Sequence, residues 1–290
     1  RIDNFLLREL KPVPRSRIYQ MLRKGEVRVN GGRVRPTYRL NVGDRVRIPP
    51  VRLAEVQIVN PGEGIRNAVR DSVVYQDDKI MVLNKPSGIA VHGGSGVSAG
   101  VIETLRTLYP ADTLELVHRL DRETSGILVV ARKRSALRDL HEQFRNGSVR
   151  KKYQLLVHGH WPEKVSQVHT SLTRYVTSSG ERRVRPDPQG KAARTDFSVV
   201  HAADSASWLQ ADLHTGRTHQ IRVHALSIGH PVLGDDKSHT AGSFQLSETL
   251  GVRRLCLHAT SMALTVGETQ HRFVCEPPAL FAKVWKRLST

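Results

Sequence analysis

A continuous apolar run, Ile127-Leu128-Val129-Val130-Ala131, reads as a buried β-strand, because β-branched side chains pack well on a pleated surface. The segment leading into it is His118-Arg119-Leu120-Asp121-Arg122-Glu123-Thr124-Ser125-Gly126, which sets the carboxylate of Asp121 between two arginines. Thr-Ser-Gly then has the hydroxyls and backbone freedom to turn the chain before the strand. A carboxylate at the mouth of a core strand, with guanidinium groups close by that favour its ionised form, is placed to act as nucleophile or base. On chemistry alone, an Asp–Arg ion pair at a turn is the competing explanation.

The 290 residues allow one sizeable core plus a small second domain. Their net charge of +18 calls for a polyanionic partner, RNA or DNA by default, and no basic amphipathic helix with an aromatic face points to a membrane surface. The charge is uneven. Residues 1–52 hold 14 Lys/Arg against 4 Asp/Glu, as a docking module would. No apolar run approaches a membrane span, and no signal peptide is recognised ahead of the first motif. Cys256 and Cys275 are isolated, which fits a reducing cytoplasm and argues against a cysteine-based metal site. A monomer is expected.

Residues 1–50 read as a compact basic module. Ile2, Phe5, Leu6 and Leu10 have helical spacing before Pro12 and Pro14, and Ser16 is expected to cap a second helix that stops at Gly25. Strands are predicted over Val27–Asn30 and Arg45–Ile48, around Gly31-Gly32 and a Gly43-Asp44 turn. Arg15, Arg17, Arg23, Lys24 and Arg28 are candidates for one phosphate-contacting face. Residues 51–72, with Pro49-Pro50 before them and Pro61-Gly62-Glu63-Gly64 inside them, read as an extended linker.

From Val73 a second domain opens with two short strands about Asp77-Asp78, closed by Asn84-Lys85-Pro86-Ser87-Gly88. His92-Gly93-Gly94-Ser95-Gly96 is glycine-rich but lacks the Gly-Lys-Ser/Thr of a nucleotide loop. Helices are expected over Val101–Tyr109 and Ser135–Phe144, and a strand over Arg150–Gly159. Tyr153, beside three cations in that strand, fits either the core or a stacking platform for an unpaired base. Residues 160–190 are a polar, basic excursion, followed by paired strands Ala193–Val200 and Ser207–Leu213. His214, His219 and His224 recur every five residues, not the four of a helical zinc pair, and no metal is expected. The surrounding stretch reads as a helix started at Gly216, whose Arg217 and Arg222 meet Asp121, phosphate, or both.

Residues 1–50 resemble the S-four-like RNA-binding domain through Arg1-Ile2-Asp3-Asn4-Phe5-Leu6, Ser16-Arg17-Ile18, Gly25-Glu26-Val27-Arg28-Val29-Asn30-Gly31 and Gly43-Asp44. Residues 73–290 resemble the RluA family of RNA pseudouridine synthases. The matching segments are Asn84-Lys85-Pro86-Ser87-Gly88, His118-Arg119-Leu120-Asp121 with Thr124-Ser125-Gly126, Lys152-Tyr153, and Thr215-Gly216-Arg217-Thr218-His219-Gln220-Ile221-Arg222-Val223-His224. Gly229-His230-Pro231-Val232-Leu233-Gly234-Asp235 follows at the family's distance.

The resemblance implies an α+β catalytic domain on a mixed, largely antiparallel sheet, preceded by a small α/β RNA-binding domain. It implies a substrate, the uridines of large-subunit ribosomal RNA, and a reaction needing no cofactor. It also implies roles: Asp121 as catalytic aspartate, Arg222 paired with it, Tyr153 stacked on the uracil near the proton lost from C5, and Ile221 as a wall. Arg119 is implied to enter the space left by the flipped nucleotide. Residues 235–253 carry no legible role. Two rival readings are an RNA-binding assembly factor without catalysis and a nuclease, which needs clustered carboxylates and Mg²⁺.

Overall fold

The computed structural model describes residues 1–10, 13–51, 61–94 and 99–288. The chain divides into two compact units, Arg1–Ile58 and Val59–Thr290.

The first unit comprises α1 (Ile2–Glu9), α2 (Arg15–Lys24), β1 (Arg28–Val29), β2 (Gly32–Arg33) and β3 (Val46–Arg47). Ile2 and Leu6 of α1 meet Ile18, Met21 and Leu22 of α2 over Val27 and Val29, so one apolar stripe on each helix is buried. β1 is the central strand, antiparallel to both β2 and β3. The helix stops at Gly25 as the sequence predicts, but Ser16 does not cap it. Pro14 holds the N-cap position, and Ser16 lies inside the first turn.

The second unit runs α3 (Glu63–Asp71), β4 (Val73–Gln76), β5 (Ile80–Lys85), α4 (Val101–Leu108), β6 (Glu115–Leu116), β7 (Ser125–Ala131), α5 (Arg134–Asn146) and β8 (Arg150–His158). It continues through β9 (Gln167–His169), β10 (Leu172–Val176), β11 (Arg182–Pro186), β12 (Arg194–Ala202), β13 (Ala206–Leu213) and α6 (Gln220–Ser227). It closes with α7 (Ala241–Thr249), β14 (Leu257–Val266), β15 (Thr269–Val274) and α8 (Ala279–Leu288). The extended-linker expectation for 51–72 is corrected here. Residues 52–60 lie outside the described residues, and Glu63–Asp71 is a helix that buries Val69 in the main core. Pro61 and Gly62, read as breakers, stand just ahead of the helix, with Gly62 at its N-cap.

The main sheet has the order β4-β5-β7-β14-β8-β13-β12-β9, with β15 also on β14 and β6 also on β7. Its one parallel pair among the described residues is β7–β14; the other ladders are antiparallel. The sheet is therefore mixed and largely antiparallel. β7 is buried along its whole length because both its faces are covered. Leu128 and Val130 join the core that includes Ile102 and Leu105 of α4, while Ile127 and Val129 join Ala136 and Leu140 of α5. At the start of β7 the parallel pairing brings Gly126 against Ala259. Gly126 has φ of 109°, and a Cβ there would lie 2.3 Å from the Ala259 carbonyl oxygen, so the contact needs glycine on both counts.

Candidate active site

Asp121 stands in the loop between β6 and β7, and that loop is fastened on each side of it. The Lys85 ammonium, fully buried at the end of β5, donates to the carbonyls of Pro86 and Ile89 at 2.8 Å and of Arg122 at 3.0 Å. Ser87 Oγ donates to the Glu123 carbonyl at 2.6 Å, and the Gly88 N–H donates to the Arg122 carbonyl at 2.9 Å. The segment 84–88 thus acts as a clip on the Asp121 loop. Burial pulls Lys85 down from 10.5 to about 7, although three carbonyl acceptors together match the three N–H donors of the ammonium form. On the other side, His118 Nε2 accepts the Val129 N–H at 3.0 Å while its ring stacks on Phe144. Burial, then the Lys151 charge, takes His118 down to about 3, so it is a neutral acceptor at ordinary pH.

The second contribution comes from the start of α6. Gln220 accepts from Thr215 Oγ1 and the Arg217 N–H and donates to the Arg194 carbonyl and Thr195 Oγ1, which fixes the turn before the helix. That turn displaces the helix start from the expected Gly216 to Gln220. His219 stands at the N-cap with a left-handed φ of 53°, which is costly for a side chain with a Cβ. Its Nε2 is 3.7 Å from Asp121 Oδ2, and Arg222 Nη1 is 3.9 Å from the same oxygen. Burial lowers the His219 pKa against the pull of the Asp121 charge.

Arg222 does face Asp121, as expected, but its closest partner is a residue the sequence reading left unassigned. Asp235 takes it in a bidentate pair, Nε to Oδ2 at 2.6 Å and Nη2 to Oδ1 at 2.5 Å. The Asp235 carboxylate also accepts from the N–H groups of Lys237 and Ser238, both at 2.9 Å. Burial works to raise the Asp235 carboxyl, but Arg222 and these N–H groups outweigh it and hold it below the usual range. Gly234 makes the placement possible: its φ is 72°, and a Cβ would fall 2.0 Å from the Arg254 carbonyl oxygen.

Tyr153 supplies the third wall from β8. Its neighbours across the register are Ala211 on β13 and Ala259 on β14, so both flanking side chains are small. Burial, and then the Asp121 charge, push its phenol upward, so it stays neutral. Arg119, Asp121, Tyr153, Ile221 and Arg222 all line one cavity of about 150 Å³, which five sequence-predicted residues thereby share. Arg119 is exposed at its mouth, while Ile221 and Arg222 are buried. Arg217 also lines the cavity, with its Nε donating to the Ala192 carbonyl at 3.0 Å.

The histidine triplet disperses. His214 bonds Asp196 at 2.7 Å, His224 bonds Thr195 Oγ1 and the Thr170 carbonyl, and only His219 faces the cavity. In the glycine-rich segment, the Gly93 N–H donates to Glu103 at the start of α4, while Ser95 and Gly96 lie outside the described residues. In the first unit, Arg15 and Lys24 are exposed, but they stand nine residues apart on α2, about half a turn around the helix axis. Arg15 covers the ring of Tyr19 at 5.6 Å, Arg17 is in an ion pair with Glu26 at 2.7 Å, and Arg28 lies on β1. Arg17 and Lys24, seven residues apart, do share a face.

Comparison with known proteins decides the family. Residues 79–227 match the model for RNA pseudouridylate synthase, and residues 1–46 match the S4 domain. The chain belongs to the RNA pseudouridine synthases. It is 52% identical to "Ribosomal large subunit pseudouridine synthase C" of Escherichia coli (strain K12), over 91% of this chain and 85% of that protein. The proteins of the same name from Haemophilus influenzae and Yersinia pestis are 52% and 49% identical, over 90% and 96% of this chain and 82% and 88% of theirs. Among solved structures, human RNA pseudouridylate synthase domain containing 4 superposes with a TM-score of 0.64 at 26% identity, covering 78% of this chain and 96% of that one. Human RNA pseudouridylate synthase domain containing 1 gives 0.61 at 27% identity, covering 73% and 86%. The motif segments of an RluA-type synthase and an N-terminal S4 domain thus occur in one chain, which carries isomerase chemistry. No helix among the described residues is long and apolar enough to cross a membrane.

Proposed function

We propose that this synthase converts specific uridines of large-subunit ribosomal RNA to pseudouridine, with Asp121 as the catalytic group. The observation that carries this reading is the convergence of Asp121, Tyr153 and Arg222, from three separate segments, on one cavity. The reaction breaks the N-glycosidic bond, rotates the uracil and rejoins it to the same C1′ through C5, with nothing added or removed overall. Asp121 starts it from the carboxylate form, facing the cation of Arg222. Attack on carbon and removal of a sugar proton both use that form.

The base must leave its stack to reach the carboxylate. Arg119, exposed at the cavity mouth, fills the gap the nucleotide leaves, while Tyr153 stacks on the uracil near C5 and Ile221 closes the pocket. Residues 1–50 dock the RNA, and residues 73–290, with α3 packed into their core through Val69, carry the chemistry. Arg17 and Lys24 share the docking face of α2, with Arg15 and Arg28 contributing elsewhere on that module. The chain works as a monomer in the cytoplasm. Two buried free cysteines support that compartment.

The test uses large-subunit RNA transcribed with tritium at uridine C5, since rejoining through C5 expels that hydrogen to water. Release by the chain and not by Asp121→Asn supports the reading. RNA binding without release contradicts it and leaves the non-catalytic assembly-factor reading.

A further inference from the structure

β10 and β11 form a hairpin outside the main sheet, and a second groove of about 350 Å³ runs between it and the turn before α6. Arg174, Gly216, Arg217 and Thr218 line both this groove and the Asp121 cavity, so the two adjoin. Two of these shared residues are joined by a hydrogen bond, donated by the Arg174 guanidinium to Thr218 Oγ1. Leu172 and Val184 give the groove an apolar floor, and both belong to a small core cluster with Ala193 and Val223. Arg174, Arg217 and Lys191 supply its charge, all three are exposed, and no carboxylate lines it. Among the described residues, none of these three cations is in an ion pair. Lys191 is anchored by its backbone, which exchanges two hydrogen bonds with Leu172 at 2.9 Å, leaving its side chain available.

We propose that this groove is a nucleotide subsite, taking the RNA nucleotide next to the flipped uridine, with its phosphates on Arg174, Lys191 and Arg217. The inference rests on the RNA-modifying reading of the neighbouring cavity. An apolar floor with cations around it suits a ribose and base beneath a phosphodiester, and the volume suits one nucleotide. The Arg174–Thr218 bond lies where the chain passes from one compartment to the other. It holds Arg174 in place for the phosphate between the two nucleotides.

The experiment measures binding of a fluorescent large-subunit RNA stem–loop as a function of salt, in the Asp121→Asn background so that nothing turns over. Three RNAs are compared: complete, cut on the 5′ side of the target uridine, and cut on its 3′ side. With the complete RNA, Arg174→Ala and Lys191→Ala each reduce the slope of log affinity against log salt by about 1. With one of the cut RNAs the slope is already reduced, and neither substitution changes it further. Slopes unchanged with the complete RNA, or equally reduced with both cut RNAs, overturn the proposal. Unchanged melting temperatures establish that the variants are folded. Because the readout is binding, a chain that forms no pseudouridine refutes the proposed function while the slopes still decide the groove.

Discussion

Arg222 faces Asp121 at 3.9 Å while Asp235 grips the same guanidinium at 2.6 and 2.5 Å. The tight pair is structural and the looser one faces the cavity. Asp235 is itself tied to two backbone N–H groups, so it fixes the plane of the guanidinium and the direction of the remaining Nη1. Asp121 is left with an oriented cation nearby, at a distance that leaves its oxygens open to substrate.

Asp235→Asn separates these two functions. It leaves Arg222 buried with its closest counter-charge removed, at a cost of about 3 kcal/mol in stability. Misaim of Nη1 lowers kcat by about 100-fold, while RNA affinity stays near that of the unsubstituted chain. Denaturant unfolding and single-turnover kinetics check both. An unaltered kcat in a destabilised protein refutes the aiming role.

Lys85→Met removes the buried ammonium that donates to three carbonyls, with little change in side-chain volume. The expected loss is about 3 kcal/mol of stability, together with a fall in kcat as the loop carrying Asp121 loosens. Proteolysis across 117–124 should speed up in parallel. Full stability in the variant contradicts the clip described for this segment.

Acid sensitivity follows from His258. It is buried on β14, it accepts from Ser125 Oγ through Nδ1 at 2.8 Å, and Nε2 is 3.1 Å from the Cys275 carbonyl. Burial takes it down from 6.5 to about 4. The unfolded chain therefore binds the proton first, so stability falls as pH drops from about 6.5 to about 4, by roughly 3 kcal/mol from this group. Unfolding free energies measured across that range show the decline, and His258→Asn removes roughly 3 kcal/mol of it, while the share of His118, held down to about 3, remains. An equally steep decline in the variant assigns the effect elsewhere.

Gly126→Ala tests the β7–β14 seam. The added Cβ meets the Ala259 carbonyl oxygen at 2.3 Å, in a backbone conformation that alanine avoids. A loss of about 3 kcal/mol or more is expected by thermal or denaturant unfolding. Near-native stability contradicts the close approach.

The sequence makes the cavity legible but not its support. Asp121, Tyr153 and Arg222 stand in segments with strong local signals: an apolar strand, a basic strand entry and an Arg-His-rich turn. Asp235 has no such signal, because its tie to Arg222 spans 13 residues and depends on the turn at Gly234. Lys85 looks like an ordinary cation at a strand end, and only tertiary packing buries it. Helix Glu63–Asp71 is hidden by Pro61, Gly62 and Gly64, which read as breakers although the first two stand just ahead of the helix and Gly64 within its first turn. The groove beside the cavity is likewise unreadable in advance, since Arg174 comes from the middle of β10, Lys191 from the segment between β11 and β12, and Arg217 from the turn before α6.

The Asp121 cavity is expected to isomerise uridine in large-subunit RNA. The most direct test is a modification map: unmodified large-subunit RNA is incubated with the chain or with Asp121→Asn, labelled with carbodiimide at pseudouridine, and read by reverse-transcription stops. Stops at a few discrete uridines, present with the unsubstituted chain and absent with Asp121→Asn, are the predicted result. Equal stops with both proteins, or none with either despite tight binding, contradict it.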